Sequence, residues 1–449
     1  MARTRTTSTG GTTTGGGDRR GPRGARAAAP STAFEAGTAS DAGTAAGRGT
    51  ASGTGTGVPV SRAQVLRHRV RAQQLDRPVD AARRPCDADV LDLGVQDTGT
   101  GGAAWSLANR GVPVEADAAR WPAELALAWT VRGAPHAYRR ADLPGVEVAL
   151  RPYSPADAAK RVYDASKPLH EAGIEVPDAL AAVAREMRRI VVEPTVKGVM
   201  STRLTEAMPE PYLRYCRPCD ATHLYEMPFR LAALHAGLEL EPGTSPPVLR
   251  RVPGWPTDHV ADLSPAPAPG APAALPEPVE RLDVVRAYLH HLGPAMPHDV
   301  AGYLDATLAD VVARWPHDVR EVLVEGETRW VLEADADALL AGTSAGAGDG
   351  APVVRLLGPF DLYLQARDRS LLVADPARQK DLWRTLGRPG AVLVDGEVLG
   401  TWRPKASGRR LTVVVDAWEP WPPAVQQAVE AEQERLAAHR GLTLVRAGA

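Results

Sequence analysis

A glycine-rich segment holds the first residues whose types and spacing could do chemistry. Residues 90–102 read VLDLGVQDTGTGG, and a predicted helix follows over residues 103–109. An apolar stretch that runs into glycines and then a helix is typical of a strand that enters a nucleotide-binding loop. Within this segment, Gln96, Asp97 and Thr98 place an amide, a carboxylate and a hydroxyl side by side.

One interpretation of this segment is a dinucleotide fold or an S-adenosylmethionine-dependent methyltransferase. Val112–Glu115 would then form a second strand that ends in an acid. Two features oppose this interpretation. The glycine expected two residues after Gly94 is Gln96, whose side chain would occupy the space that a cofactor needs. Downstream, no series of alternating strands and helices completes a parallel sheet. The methyltransferase stays an alternative.

Three further residues have the types of a metal site. Cys216 and Cys219 have the spacing of zinc ligands, and His223 follows shortly after them. A zinc site usually needs a fourth ligand, and the sequence offers no second cysteine pair at matching spacing. We therefore favour inert thiols packed in a loop over zinc, and our site prediction contains no metal and no cofactor.

A cluster of cations lies near the C-terminus. Two predicted strands, Glu397–Trp402 and Leu411–Trp418, flank a loop over residues 403–410. Four cations occupy this loop beside Trp402, and they are Arg403, Lys405, Arg409 and Arg410. A basic hairpin tip next to an aromatic residue is suited to DNA phosphates or a groove. A solvated loop is the alternative.

The composition limits the class of protein. The chain has 449 residues, a formal net charge of −2 and 44% hydrophobic residues, which fits several ordinary domains. No apolar run reaches the ~18 residues of a membrane helix. Three cysteines fit a reducing compartment. The near-zero charge argues against a bulk nucleic-acid coat but leaves room for a local basic surface.

The chain divides into a tail and three predicted blocks. Residues 1–57 contain 14 glycines and 13 threonines, and we expect a disordered tail. Residues 241–280 are predicted to be a linker, because residues 261–280 alone hold six prolines. The ordered blocks are expected at residues 58–240, 281–340 and 353–449, with a second break over residues 341–352.

Helices and strands are predicted most clearly at three places. Ser61 should cap a helix that carries Arg62, Arg67, Arg69 and Arg71. These arginines form either a solvated face or a face that contacts phosphates. In the middle block, the periodicity predicts helices over residues 282–292, 297–304 and 308–315, followed by strands over 319–325 and 328–333. Val311, Val312 and Trp315 should face inward. This is the order of a winged helix, although its third helix carries only Arg314 as a cation. In the C-terminal block, Asp395-Gly396 predicts a hairpin turn, and residues 422–440 a terminal helix.

These segments together resemble a known family. The matching segments, in chain order, are Leu93–Thr98, Ala126–His136, Lys197-Gly198, Tyr215–His223, Gly293-Pro294-Ala295, Pro359-Phe360-Asp361, Val392–Gly396 and Gly400–Arg403. In this order they resemble the winged-helix DNA-binding family that includes the AlkZ-type DNA glycosylases. The resemblance implies an α+β fold with tandem winged-helix units and a β-rich C-terminal part, after the disordered N-terminal tail. It also implies hydrolysis of the N-glycosidic bond of alkylated purines.

The resemblance implies catalytic residues, and the sequence departs from the family at two of them. The family motif is Gln, an apolar residue, then Gln or Asp. Gln96 matches the first position, whereas Asp97 replaces the apolar residue and Thr98 the second functional residue. A glutamine amide can position water but cannot act as a general base. Asp97 could supply a carboxylate only if the backbone turns it inward.

The resemblance also implies that Arg132 and His136 lie near the DNA channel, in a segment of the form Arg-Gly-x-x-His. A structural ion pair and a core histidine are the alternatives. We expect a monomeric, cytoplasmic, nucleoid-associated protein whose partner is double-stranded DNA, without a membrane. It acts either as a glycosylase-like repair hydrolase or as a noncatalytic DNA-binding or regulatory protein.

Overall fold

The computed structural model of the chain describes residues 57–256, 279–341 and 351–446. All of them belong to one compact unit within Glu35–Ala449. The predicted N-terminal tail lies outside the described residues, apart from Gly57. In the described part of the chain, no helix combines the length and the apolar character that crossing a membrane requires.

The first described region alternates helices with short strands. In chain order, its elements are β1 (Val58–Val60), α1 (Arg62–Ala72), β2 (Val95–Gln96), α2 (Gly102–Ala108), β3 (Leu125–Trp129), β4 (Pro135–Arg139), α3 (Leu143–Ala149), α4 (Pro155–Arg161), α5 (Ser166–Glu171), α6 (Val176–Ile190), β5 (Thr195–Val196), α7 (Lys197–Ala207), β6 (Leu213–Cys216), β7 (Ala221–Leu224), α8 (Glu226–His235), β8 (Leu238–Leu240) and β9 (Val248–Arg251). Ser61 caps α1 as predicted, because its hydroxyl accepts a hydrogen bond from the backbone N–H of Gln64.

Six of these strands form one sheet in the order β2-β4-β3-β8-β9-β5. Each pairing in the register is antiparallel. In the described structure, residues 112–115 form no strand. The methyltransferase alternative is therefore wrong, because that fold needs a parallel sheet with helical crossovers. The linker expected over residues 241–280 is also wrong in part, since β9 belongs to this sheet. Residues 257–278 lie outside the described residues.

The second described region follows the predicted order of three helices and a hairpin. Its elements are α9 (Val284–Leu292), α10 (Pro297–Leu304), α11 (Leu308–Val312), β10 (Val319–Val324), β11 (Glu327–Leu332) and α12 (Glu333–Leu340). The third helix is shorter than predicted, and Val312 is exposed instead of facing inward. Helix α12 was not predicted. Strand β1 pairs in parallel with β10, so a segment 264 residues earlier in the chain completes this small sheet.

The third described region is rich in strands. Its elements are β12 (Val354–Leu357), α13 (Arg369–Leu372), α14 (Pro376–Leu382), β13 (Gly390–Val394), β14 (Glu397–Ser407), β15 (Arg410–Ala417), α15 (Pro423–His439) and β16 (Thr443–Leu444). The strands form a sheet in chain order, and the turn at Asp395-Gly396 joins β13 to β14 as predicted. The loop expected over residues 403–410 is wrong, because β14 continues to Ser407 and the chain turns at Gly408.

The third region is attached to α2 through buried polar contacts. Trp105 Nε1 donates a hydrogen bond to the Leu356 carbonyl at 2.6 Å. Arg110 forms an ion pair of 2.8 Å with Asp361, and both side chains are fully buried. Ser106 Oγ donates to the same carboxylate. Although burial opposes ionisation, Arg110 and these hydrogen bonds hold the pKa of Asp361 below its usual value. The segment after β12 is thereby fixed against the helix that follows Gln96.

Candidate active site

Strand β2 positions Gln96 at the edge of the six-stranded sheet. In the register, Gln96 lies opposite His136 of β4, and the backbone N–H of Asp97 donates to the Pro135 carbonyl. Gly94 precedes the strand with a φ of +89°. A Cβ at this position would lie 2.5 Å from the ring of Tyr138. Only glycine allows the chain to cross this ring and to present Gln96 where it stands.

The amide of Gln96 is held on both sides. Its Nε2 donates a hydrogen bond to Thr98 Oγ1 at 2.9 Å, and its Oε1 accepts one from Gln365 Nε2 at 3.1 Å. All three side chains are half-buried. A primary amide has two N–H donors and two carbonyl lone pairs. One of each therefore remains to hold a water molecule, which is the chemistry expected of Gln96 and Thr98.

Arg132 belongs to the same hydrogen-bond network. It lies in the turn between β3 and β4 with a φ of +55°. Its Nη2 donates to Gln365 Oε1 at 3.0 Å, and its Nη1 donates to the Tyr303 carbonyl at 2.9 Å. The guanidinium also lies over the Tyr303 ring, 5.3 Å from the centroid. Gln365 thus connects Arg132 to Gln96. No sequence pattern singled out Gln365, which lies 269 positions from its partner.

Asp97 has a different environment from its two neighbours. Its carboxylate accepts the backbone N–H of Ala103 at 2.9 Å, at the start of α2. Burial raises the pKa of Asp97, and the backbone N–H groups of Ala103 and Gly102 oppose this shift. The carboxylate therefore stabilises the first turn of α2, where backbone donors have no partner within the helix.

His136 lies behind the site rather than on its surface. His136 is only 2% exposed. Its Nδ1 lies 2.9 Å from Thr130 Oγ1 and 3.0 Å from the Ala134 carbonyl. Burial lowers the pKa of His136 to about 3, so the imidazole is neutral. The expected contact of His136 with DNA is wrong, and the alternative of a core histidine is confirmed.

Trp402 is the second residue that the structure moves to the core. It is 2% exposed, and its Nε1 donates to the Leu357 carbonyl at 2.8 Å. Its assignment to the DNA surface is therefore wrong. The four cations after it differ among themselves. Arg403 is half-buried and pairs with Asp381 at 3.5 Å. The remaining three are exposed, and they are Lys405, Arg409 and Arg410.

The exposed hairpin extends from the same end of its sheet as the segment that carries Gln365. The last residue of β12, Leu357, pairs with Ala391 near the start of β13. Gly390, the first residue of β13, pairs with Trp402. Beyond Trp402, β14 and β15 continue together without β13. Because β12 leads directly into residues 358–365, the basic hairpin and Gln365 both follow from this end of the sheet.

Four half-buried arginines lie near Gln365 and the segment that carries it. We call Arg132, Arg367, Arg369 and Arg388 the arginine cluster. Burial and the charges of the other three lower the pKa of Arg388 to about 10. Burial, and then the charge of Arg132, lower the pKa of Arg367 to about 10 as well. The Arg388 guanidinium lies 4.7 Å from the centroid of Phe360, whose carbonyl accepts a hydrogen bond from Gln365. The cluster therefore adjoins the Gln96 network.

Three members of the arginine cluster form no close ion pair with a carboxylate in the described part of the chain, and they are Arg132, Arg367 and Arg388. Asp368, between two cluster residues, instead pairs with Arg69 at 2.6 Å in the core. Both predicted roles of Arg69 on the first helix are therefore wrong. No sequence pattern indicated the cluster, because its members are single arginines from separate segments.

The structure also brings together Cys216, Cys219 and His223. Their ligand atoms all lie within 4.8 Å of one another on the β6–β7 hairpin. Cys219 is exposed, so the expectation of thiols packed in a loop is wrong for this residue.

Comparisons with known proteins agree on one family. The model of the family described as DNA glycosylase AlkZ-like matches residues 90–439, and the chain belongs to this family. Among solved structures, the DNA glycosylase AlkZ of Streptomyces sahachiroi is similar, with a TM-score of 0.60 and 21% sequence identity. The match covers 87% of this chain and 100% of the other, and it shows a shared fold. A search of curated proteins gave no match.

Proposed function

We propose that the chain hydrolyses the N-glycosidic bond of alkylated purines in double-stranded DNA. Membership of the AlkZ-like family supports the class of reaction and of substrate. The observation that carries the proposal is the half-buried Gln96 amide, which Thr98 and Gln365 hold beside the arginine cluster. Such a fixed amide can position a water molecule, and the positively charged arginines beside it can bind the phosphates of the substrate strand.

The chemistry of the substrate fits an amide in this position. An N7-alkylated purine is already cationic and needs little protonation to leave. The protein must then hold water near C1′ and stabilise an oxocarbenium-like sugar. Gln96 offers one N–H and one carbonyl lone pair for that water. It cannot remove a proton itself, so the purine leaves as a neutral base, water adds to the cationic sugar, and the added water then loses a proton to solvent.

Two basic surfaces serve DNA binding in this proposal. The arginine cluster lies beside Gln96 and would contact the phosphates around the lesion. The exposed hairpin cations Lys405, Arg409 and Arg410 extend from the same end of the sheet and would contact a neighbouring stretch of duplex. Counterion release from these contacts would make the affinity depend on salt. A monomeric, nucleoid-associated protein of the cytoplasm remains our prediction.

The middle region fits a winged helix that acts as a scaffold. Helices α9, α10 and α11 followed by the β10–β11 hairpin have the order of that motif. One side of the helix that would read DNA contacts another part of the chain, while Leu308 and Val312 on it are exposed. Asp310 of α11 accepts a hydrogen bond from Ser154 at 2.8 Å. Arg314, just after α11, lies over the ring of Tyr153 at 4.3 Å. We propose that this unit supports the site without reading bases, and a second winged-helix unit stays a prediction.

A noncatalytic DNA-binding protein is the second candidate, and the environment of Asp97 favours it. The motif has Thr98 at its third position, and the only neighbouring carboxylate in the motif stabilises α2. Loss of one transition-state contact typically costs ~10²–10³ in rate. A chain that binds alkylated DNA without cleaving it would have the same two basic surfaces.

The deciding experiment measures release of 7-methylguanine from methylated duplex DNA. We expect the wild-type chain to release the base, and Gln96→Ala to reduce the rate by roughly 10²–10³ while duplex binding persists. Gln379→Ala is the matched control, because Gln379 is half-buried on α14 and donates a hydrogen bond to the Val373 carbonyl. Absence of release at stoichiometric enzyme, with binding retained, would reject the hydrolase in favour of the second candidate.

A further inference from the structure

The β6–β7 hairpin is a small element whose turn carries two cysteines. Cys216 pairs with Ala221, and Arg214 pairs with His223. Within the turn, the backbone N–H of Cys219 donates to the Cys216 carbonyl at 3.2 Å. This turn folds Cys219 back toward the start of β7. The two sulfur atoms and a ring nitrogen of His223 consequently lie within 4.8 Å of one another.

The orientation of His223 adds a second observation. Its Nδ1 lies 2.7 Å from the Leu224 carbonyl oxygen. Because a carbonyl oxygen only accepts, Nδ1 carries the proton and Nε2 carries the lone pair. A histidine that ligates a metal almost always donates its other ring N–H to a carboxylate, a backbone carbonyl or water. The backbone thus already selects the tautomer that a metal ligand requires.

We propose that Cys216, Cys219 and His223 bind one thiophilic divalent cation, for which Zn²⁺ is the best match. Thiolate and imidazole are the ligands that zinc prefers, whereas magnesium and calcium require oxygen. Among the residues that the structure describes, the cluster has these three ligands. Water completes the tetrahedron from the exposed side of Cys219.

The hairpin itself gives the metal a structural role. Its two strands form a sheet of their own, and Tyr215, Arg217 and Cys219 are exposed. A two-stranded hairpin is at best marginally stable in water. A cation bound by the end of β6, the turn and β7 would link both strands across the turn. This role is independent of the Gln96 network and of the proposed hydrolysis.

The test is a titration of the full-length, metal-free, reduced chain with Co²⁺ under anaerobic conditions. We expect thiolate-to-cobalt charge-transfer bands and the d–d bands of tetrahedral cobalt. They should saturate at one Co²⁺ per chain and disappear when Zn²⁺ is added. Since the wild-type chain gives the primary result, the test does not depend on the folding of a variant. Absence of these bands with both thiols reduced would overturn the proposal.

Variants assign the bands to the ligands. Cys216→Ser and His223→Ala should each weaken Co²⁺ binding by more than roughly 100-fold. Losses up to this size are typical when a residue that only hydrogen-bonds to a metal ligand is removed. Cys86→Ser is the matched control, because Cys86 is a free, half-buried thiol outside the cluster. It should bind Co²⁺ as the wild type does. Bands that persist in Cys216→Ser, or that vanish in Cys86→Ser, would contradict the assignment.

Discussion

Replacing Gln365 by alanine tests whether the network around Gln96 positions the reacting water. The substitution removes the donor to Gln96 Oε1 at 3.1 Å and the acceptor of Arg132 Nη2 at 3.0 Å. It also removes a longer hydrogen bond to the Phe360 carbonyl. Gln96 would keep only its contact with Thr98 and could rotate about its side-chain bonds.

The magnitude follows from the two hydrogen bonds. A neutral hydrogen bond contributes about 1 kcal/mol, and one to a charged group about 1.5–3 kcal/mol. Each ~1.4 kcal/mol corresponds to a tenfold change in rate. If the first bond alone matters for the transition state, the rate falls about fivefold. If the release of Arg132 also costs the lower value of about 1.5 kcal/mol, the two losses together lower the rate roughly 60-fold. The loss should remain below that of Gln96→Ala, at roughly 10²–10³.

The assay is single-turnover release of 7-methylguanine by four chains, namely the wild type, the two single variants and Gln96→Ala/Gln365→Ala. Because Gln365 acts through Gln96, its removal should add little once Gln96 is absent. Gln379→Ala again controls for loss of a half-buried glutamine. If the double variant loses the product of the two single effects, Gln365 does not position Gln96 and the reasoning is wrong.

Two further predictions concern the DNA surface and the core. Replacing Lys405, Arg409 and Arg410 together by alanine should weaken duplex binding and reduce the steepness of log K against log salt by about 0.9 per lost phosphate contact. Fluorescence anisotropy measures the affinity at each salt concentration, with Lys167→Ala on α5 as an exposed control. An unchanged slope would refute the role of the hairpin. His136 is neutral in the folded chain, with a pKa lowered by burial to about 3. Its contribution to stability is therefore complete above about pH 6.5 and lost as the pH falls toward 3, by about 2 kcal/mol at pH 5. Thermal unfolding of His136→Leu across this range should depend less on pH than that of the wild type, and equal slopes would contradict the burial of a neutral imidazole.

Local patterns in the sequence predicted several elements well. The apolar spacing over residues 282–304 predicted two helices, and both form. Asp395-Gly396 predicted a hairpin turn, and the strands on each side pair across it. Ser61 predicted the start of α1. These signals succeed because capping, turn formation and periodic burial depend on residues only a few positions apart.

The same patterns misassigned side chains whose surroundings come from distant segments. Trp402 follows apolar strand residues and precedes four cations, but its indole is buried against the Leu357 carbonyl. Arg69 lies on a basic helix, but its guanidinium pairs in the core with Asp368, 299 positions away. His136 was expected to lie near the DNA channel, but its side chain is buried. Burial depends on which segments pack against a residue, and the neighbouring residues in the sequence do not show which segments these are.

For the candidate site, the sequence alone determined the residue types of the motif and, through the ordered set of short matches, the family to which the chain belongs. Only the tertiary structure decided how these residues act. The buried pair of Arg110 and Asp361 holds the segment after β12 against α2, and this brings Gln365 to Gln96 from 269 positions away. The same packing turns Asp97 toward α2 and gathers scattered arginines. Such contacts form because buried charges need partners, whatever their separation in the chain.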